Sequence, residues 1–156
     1  FKTLTVTNGA YKGNTSVTKE SGSVKVETGR ISVTATTNGV TSLVWDGKEM
    51  LNGNPINLYA KIDGNTYYMK AAEVYLLNTA SYKKIKLKGY LTDGLEGEMF
   101  VTIADNASGI HIEHRHHYYE QITVQSTGIT IGAKYSGAEA LTTLWHNAVW
   151  TYPLSP

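Results

Sequence analysis

Four of the five histidines fall within Gly109-Ile-His-Ile-Glu-His-Arg-His-His-Tyr-Tyr-Glu120, beside two carboxylates and two tyrosines. Imidazole and carboxylate groups ligate Zn, Mn, Fe or Ni rather than Ca. His114 and His116 stand two residues apart, so on a strand both side chains leave the same face and reach one cation. Glu120 continues that phase, and His146 arrives from later in the chain as a fourth candidate ligand. The set His114, His116, Glu120 and His146 therefore raises the expectation of one divalent transition metal as cofactor. The bland alternative is a half-buried polar strand whose histidines bond to Tyr118, Glu113 or the backbone.

A second constellation suits a different chemistry. Trp145, His146, Asn147, Trp150 and Tyr152 crowd the C-terminal end, and Tyr118 and Tyr119 belong to the histidine segment. Sugars present C–H faces that stack on Trp and Tyr, while Asn, His, Glu and Arg bond to hydroxyls. Trp145, His146, Trp150 and Tyr118 are accordingly the candidate carbohydrate-binding residues. Against this stands the affinity of Trp and Tyr for ordinary strand and core positions.

Lys84, Lys86 and Lys88 form a basic stripe that fits either an acidic polysaccharide such as a uronate or a strand edge kept from pairing by lysines. Asp46, Asp63, Asp93 and Asp105 sit beside Gly or Asn, where turn geometry explains them without calcium. Asn14-Thr-Ser and Asn106-Ala-Ser match a glycosylation acceptor pattern, which matters only in a eukaryotic secretory setting. Glu113 and Glu120 lie seven apart, on opposite faces of a regular strand, and make a poor pair for glycoside hydrolysis. No nucleophile elbow, phosphate loop or zinc-protease motif occurs, so a non-catalytic role is preferred.

The elements that position these residues are strands. Apolar residues recur with period two and no window supports a helix. Ile110 and Ile112 lead into the histidine segment and Ile122 and Val124 lead out. His114, His116, Tyr118 and Glu120 hold this inward phase, and His111, Glu113, Arg115, His117 and Tyr119 take the other face. Val40–Trp45, Asp46-Gly47 and Lys48–Leu51 predict a hairpin with a type I′ turn. Ile56–Ile62, Asp63-Gly64 and Asn65–Met69 repeat it, opposing Tyr59 to Tyr68. In the following hairpin, face matching demands an odd loop. Asp93-Gly94-Leu95 supplies one, with Leu87 facing Val101 and Tyr90 facing Glu98. Gly128–Ala133 and Leu144–Tyr152 read as the closing strands.

At 156 residues the chain is large enough to bury a core as one domain, and its strand spacing predicts an antiparallel β-sandwich or jelly roll. The expected organisation is an N-terminal arm or edge strand over 1–22 and a β-sandwich over 23–156. A net charge of +1 excludes a nucleic-acid footprint, and no apolar run reaches a membrane-spanning length. There is no cysteine, hence neither a disulfide framework nor a thiolate site. A start at Phe1, eleven tyrosines and abundant Thr and Asn point to an extracellular or cell-surface location.

Val26–Val33 and Gly39-Val-Thr-Ser-Leu-Val-Trp-Asp-Gly-Lys-Glu-Met-Leu51 resemble the opening strands of β-sandwiches in carbohydrate-active proteins. The likeness is to galactose-mutarotase-like supersandwiches and the first domain of rhamnogalacturonan lyases, over residues 24–51. It implies a glycan partner and carries over no catalytic residue. The His-x-His-x3-Glu spacing resembles the first cupin motif, although the framing glycines are offset and the proline-glycine motif before the last histidine is missing. The leading expectation is a secreted, non-catalytic sandwich that binds a polysaccharide. Two others stand beside it: a self-assembling fibre or surface-layer subunit whose Phe1–Thr7 adds to a neighbouring sheet, and a cupin-like metal-binding protein.

Overall fold

The structure, a computed structural model, describes residues 15–79, 81–104, 109–134, 140–145 and 148–153, the last two stretches as backbone. The described residues form fourteen strands and no helix. The first group is β1 (Ser16–Glu20), β2 (Ser23–Glu27), β3 (Ile31–Thr36), β4 (Gly39–Trp45) and β5 (Lys48–Glu49), hydrogen-bonded in that order. β6 (Asn57–Ile62) lies between β7 (Asn65–Tyr68) and β12 (Ser126–Thr130). A four-stranded sheet runs β11 (His111–Tyr118), β10 (Leu95–Ala104), β9 (Tyr82–Thr92), β8 (Lys70–Asn78). β13 (Ala140–Trp145) pairs with β14 (Ala148–Pro153), and every pairing is antiparallel.

The five- and three-stranded sheets are stitched into one layer. Val40 and Ile56 exchange both backbone bonds at 2.9 Å, and Asn52 N donates to Gly132 O at 2.8 Å beside a bridge between Leu51 and Ala133. The four-stranded sheet forms the facing layer. Alternation delivers the core between them: Val24, Val26, Val33 and Leu58 from one side, Ile85, Leu87, Met99, Val101 and Ile103 from the other, in one buried cluster. The fold is thus the antiparallel, sandwich-like arrangement that the strand pattern predicts.

Both Asp-Gly turns take the expected form. Asp46 and Gly47 have φ 46° and 78°, Asp63 and Gly64 φ 48° and 78°, the two positive angles that a type I′ turn requires. Tyr59 opposes Tyr68 as predicted. The β9–β10 hairpin departs from expectation: Thr92 opposes Leu95, Tyr90 opposes Glu96 and Leu87 opposes Met99. The odd residue sits in a bulge at Leu91, beside Gly94 at φ 72°, instead of in a loop through Leu95. A glycine in the left-handed region closes the turn there with less strain than Leu95 would. The register moves by two residues, so every face assignment survives.

Two further readings are corrected. β9 is an interior strand of its sheet, so Lys84, Lys86 and Lys88 do not guard an edge. The run 144–152 is two strands, not one, with Trp145 opposite Ala148 and Thr143 opposite Trp150. In a single strand Trp145 and Trp150 would fall on opposite faces. The hairpin register puts both on one face, with Tyr152 opposite Leu141 on that same face. Of the expected arm, residues 1–14 lie outside the described residues, and Ser16–Glu20 is the edge strand β1, paired along its length with β2.

The chain passes between layers at residues 69–71. Met69 N donates to Leu58 O at 3.0 Å and Ala71 N to Thr37 O at 2.8 Å. Lys70 lies so close to β9 that a Cβ placed on Gly89 would stand 1.9 Å from the Lys70 carbonyl oxygen. Only a residue without a side chain admits that contact, and the obstacle is backbone, which does not rotate away. Gly89→Ala is expected to destabilise the fold by about 1–3 kcal/mol, as overpacking does, and the midpoint of urea unfolding checks it.

Candidate functional site

The histidine strand keeps its predicted phase. His114 opposes Met99, His116 opposes Gly97 and Tyr118 opposes Leu95, all buried positions on β10. β11, however, is the last strand of its sheet, so its inward face is only partly covered. His114 is exposed, His116 half-buried and Tyr118 46% exposed. The His114 and His116 rings meet edge to face with centroids 5.7 Å apart. His116 Nε2 lies 3.1 Å from the Tyr59 carbonyl oxygen and donates to it, which leaves the lone pair of the neutral ring on Nδ1.

Glu120 does not join them. It follows the end of β11 and lies over the Gly94 turn, where a Cβ on Gly94 would approach its side chain to 3.1 Å. Strand phase stops applying where the strand stops, at Tyr118. Among the described residues no three His, Asp or Glu side chains are grouped to hold a metal ion. His146 lies outside the described residues. The cupin-like set is therefore reduced, among the described residues, to two imidazoles.

The outer face of the same sheet carries a network of charges. Glu98 lies 3.0 Å from Lys86 Nζ and 3.2 Å from His117 Nε2. The Lys86 ammonium, helped by His117, holds the Glu98 carboxyl below the usual range against the opposing effect of burial. The Tyr119 hydroxyl donates to Glu96 at 2.9 Å, and Lys84 and Lys88 each lie 3.9 Å from a carboxylate, Glu113 and Glu96. Lys84, Lys86 and Arg115 also stand 5.2–5.5 Å from the Phe100 ring centre. The lysine stripe is thus half of a cross-strand ladder, already matched by carboxylates.

A cleft of about 640 Å³ opens elsewhere, a volume ordinary for small-ligand sites. Asn38 from the β3–β4 turn, Asn54 and Pro55 before β6, Tyr68 at the end of β7, Lys70 at the start of β8, Thr130 at the end of β12, and Ile131 and Gly132 after it form its walls. Asn57 also lines it and is buried, donating to Met69 O and accepting from Leu58 N, both at 2.8 Å. Lys70 Nζ donates to Asn38 Oδ1 at 2.6 Å. Tyr68 and Ile131 are each 56% exposed. Close packing of the Asn52–Asn54 turn against Gly132, where a Cβ would stand 2.3 Å from Asn52 Oδ1, holds one wall in place.

None of these lining residues was among the sequence-derived candidates. The Asn52-Gly-Asn-Pro55 run marks a turn, but nothing in its spacing joins it to Asn38, Tyr68 or Ile131. Those contacts arise from the Val40/Ile56 and Leu51/Ala133 stitches, which local periodicity does not encode. Tyr118 does not line the cleft. Trp145 and Trp150 share a hairpin face, and their side chains lie outside the described residues. Comparison with known proteins finds no family model that matches the chain and no match among curated proteins.

Burial lowers the His116 pKa below its ordinary 6.5, against the opposing effect of the Tyr59 carbonyl. Since the folded state then binds fewer protons than the unfolded chain, its contribution to stability is complete above the unfolded value. It is lost as pH falls from about 6.5 through the folded value. Nitrogen-detected NMR is expected to show His116 as the Nε2–H tautomer at neutral pH, titrating below 6.5. In His116→Gln this part of the acid-side decline in stability is expected to vanish.

Proposed function

We propose that this protein is a non-catalytic, extracellular β-sandwich that binds a polysaccharide. The observation that carries the reading is the composition of the cleft. Carboxamides, a hydroxyl, an exposed tyrosine ring and an exposed isoleucine surround a volume that fits a few sugar rings. A glycan needs these two things together: an apolar face for its C–H surface and adjustable polar groups for its hydroxyls. Tyr68 supplies the first, and Asn38 and Asn54 the second. Trp145 and Trp150, candidates from the sequence, are a further proposed aromatic contact for the same polymer.

Tyr68→Ala is expected to weaken binding to a recognised oligosaccharide about tenfold, the loss of one stacking contact of ~1.4 kcal/mol. Trp150→Ala is expected to lower binding to the intact polymer more than to a short oligosaccharide. Calorimetry of both variants, with EDTA present and absent, checks these expectations. Binding that is indifferent to Tyr68 would remove the cleft from the reading, and binding lost in EDTA would return it to His114 and His116.

One observation favours a second reading, self-assembly by strand addition. β8 ends its sheet, and Val74-Tyr75-Leu76-Leu77 runs along it with Tyr75 and Leu77 exposed at 48% and 53%. An extended segment such as Phe1–Thr7 of another copy would pair with such an edge. Deleting residues 1–12, or substituting Leu77→Lys, is then expected to convert assemblies into monomers in analytical ultracentrifugation. Filaments that survive both changes exclude this route.

A further inference from the structure

Resting on the glycan reading of the cleft, we infer that its ligand is an acidic glycan, with Lys70 reading the carboxylate or sulfate group. The inference comes from which donors and acceptors the fold leaves unused. Asn57 is 5% exposed and bonds within the fold through both Nδ2 and Oδ1, so it presents little to a ligand. Thr130 Oγ1 donates to the Asn57 carbonyl at 3.2 Å, which leaves it as an acceptor. Asn38 accepts from Lys70 through Oδ1, so the group it presents is its NH2, a donor.

Among the described residues, Lys70 is the single charged residue of the lining, and no carboxylate among them shares the cleft with it. Its ammonium sits against a neutral amide oxygen at 2.6 Å. The lysines of the outer sheet face are different, since Lys84, Lys86 and Lys88 each lie within 4 Å of a glutamate. A cation and an adjacent amide NH2 are both donors. The complementary ligand group is one that only accepts and carries negative charge. A sugar hydroxyl meets half of that requirement; a carboxylate or a sulfate ester meets all of it. Tyr68 stands two residues before Lys70 and lines the same cleft, so ring and charge are read together.

The test compares three probes on the full chain by calorimetry: oligogalacturonate, the same oligomer with its carboxyl groups reduced, and a sulfated neutral oligosaccharide. The acidic oligomer is expected to bind at least about tenfold more tightly than its reduced form. That ratio is expected to shrink as salt rises from about 0.05 to 0.5 M. Lys70→Gln is expected to abolish the preference and leave residual neutral binding. Lys70→Arg is expected to keep most of the preference, and Lys88→Gln, on the outer face, all of it. Tighter binding of the sulfated probe would assign the charge to sulfate. Equal binding of acidic and reduced oligomers, still sensitive to Tyr68→Ala, would overturn the inference and leave the glycan reading standing. Absence of binding to all three probes would overturn both.

Discussion

The three residues Met69, Lys70 and Ala71 carry the constraint on which the rest of the molecule depends. There the backbone leaves one layer and joins the other, and each residue is tied to a different strand or turn. Met69 bonds to β6, Ala71 to the β3–β4 turn, and Lys70 presses its carbonyl onto the glycine of β9. A sandwich needs its layers held at a fixed spacing if the two inner faces are to interdigitate. The bare Cα of Gly89 sets how closely the crossing strand approaches. The same crossing places Lys70 on a cleft wall, so the position of its charge follows from packing of the core.

Much of this fold was legible in the residues. Asp-Gly pairs at 46–47 and 63–64 specify their turns because few residues other than Gly, Asn and Asp tolerate positive φ at both positions. Period-two alternation fixed which side chains of the histidine strand face inward, and the pairing with β10 agrees with it. The β9–β10 hairpin shows the limit of such reasoning. Face matching requires an extra residue in the connection, but places it equally well in a loop or a bulge. The conformational freedom of Gly94 decides in favour of the bulge at Leu91.

The site was less legible because it is built from strand ends and turns. His114, His116 and Glu120 look like neighbours only while the strand is imagined to continue past Tyr118. Its end turns Glu120 aside. The lysine stripe looks like an open basic surface until β10 and β11 bring Glu96, Glu98 and Glu113 against it. In both cases the missing information is the neighbouring strand, which a single segment does not contain. The cleft is the extreme case, with walls from four separated stretches of chain.

Those walls belong to both layers, and this ties occupancy to cooperativity. Asn38, Asn54, Tyr68, Lys70 and Ile131 come together only when the stitches between β4 and β6 and between Leu51 and Ala133 are closed. A molecule lodged among them acts as a clasp, favouring the native ensemble by RT ln(1 + [L]/Kd), about 2.7 kcal/mol at a hundredfold excess over Kd. The melting temperature of the whole sandwich then becomes a gauge of what the cleft holds. Ligands too weak for direct titration become visible as a shift in the cooperative transition.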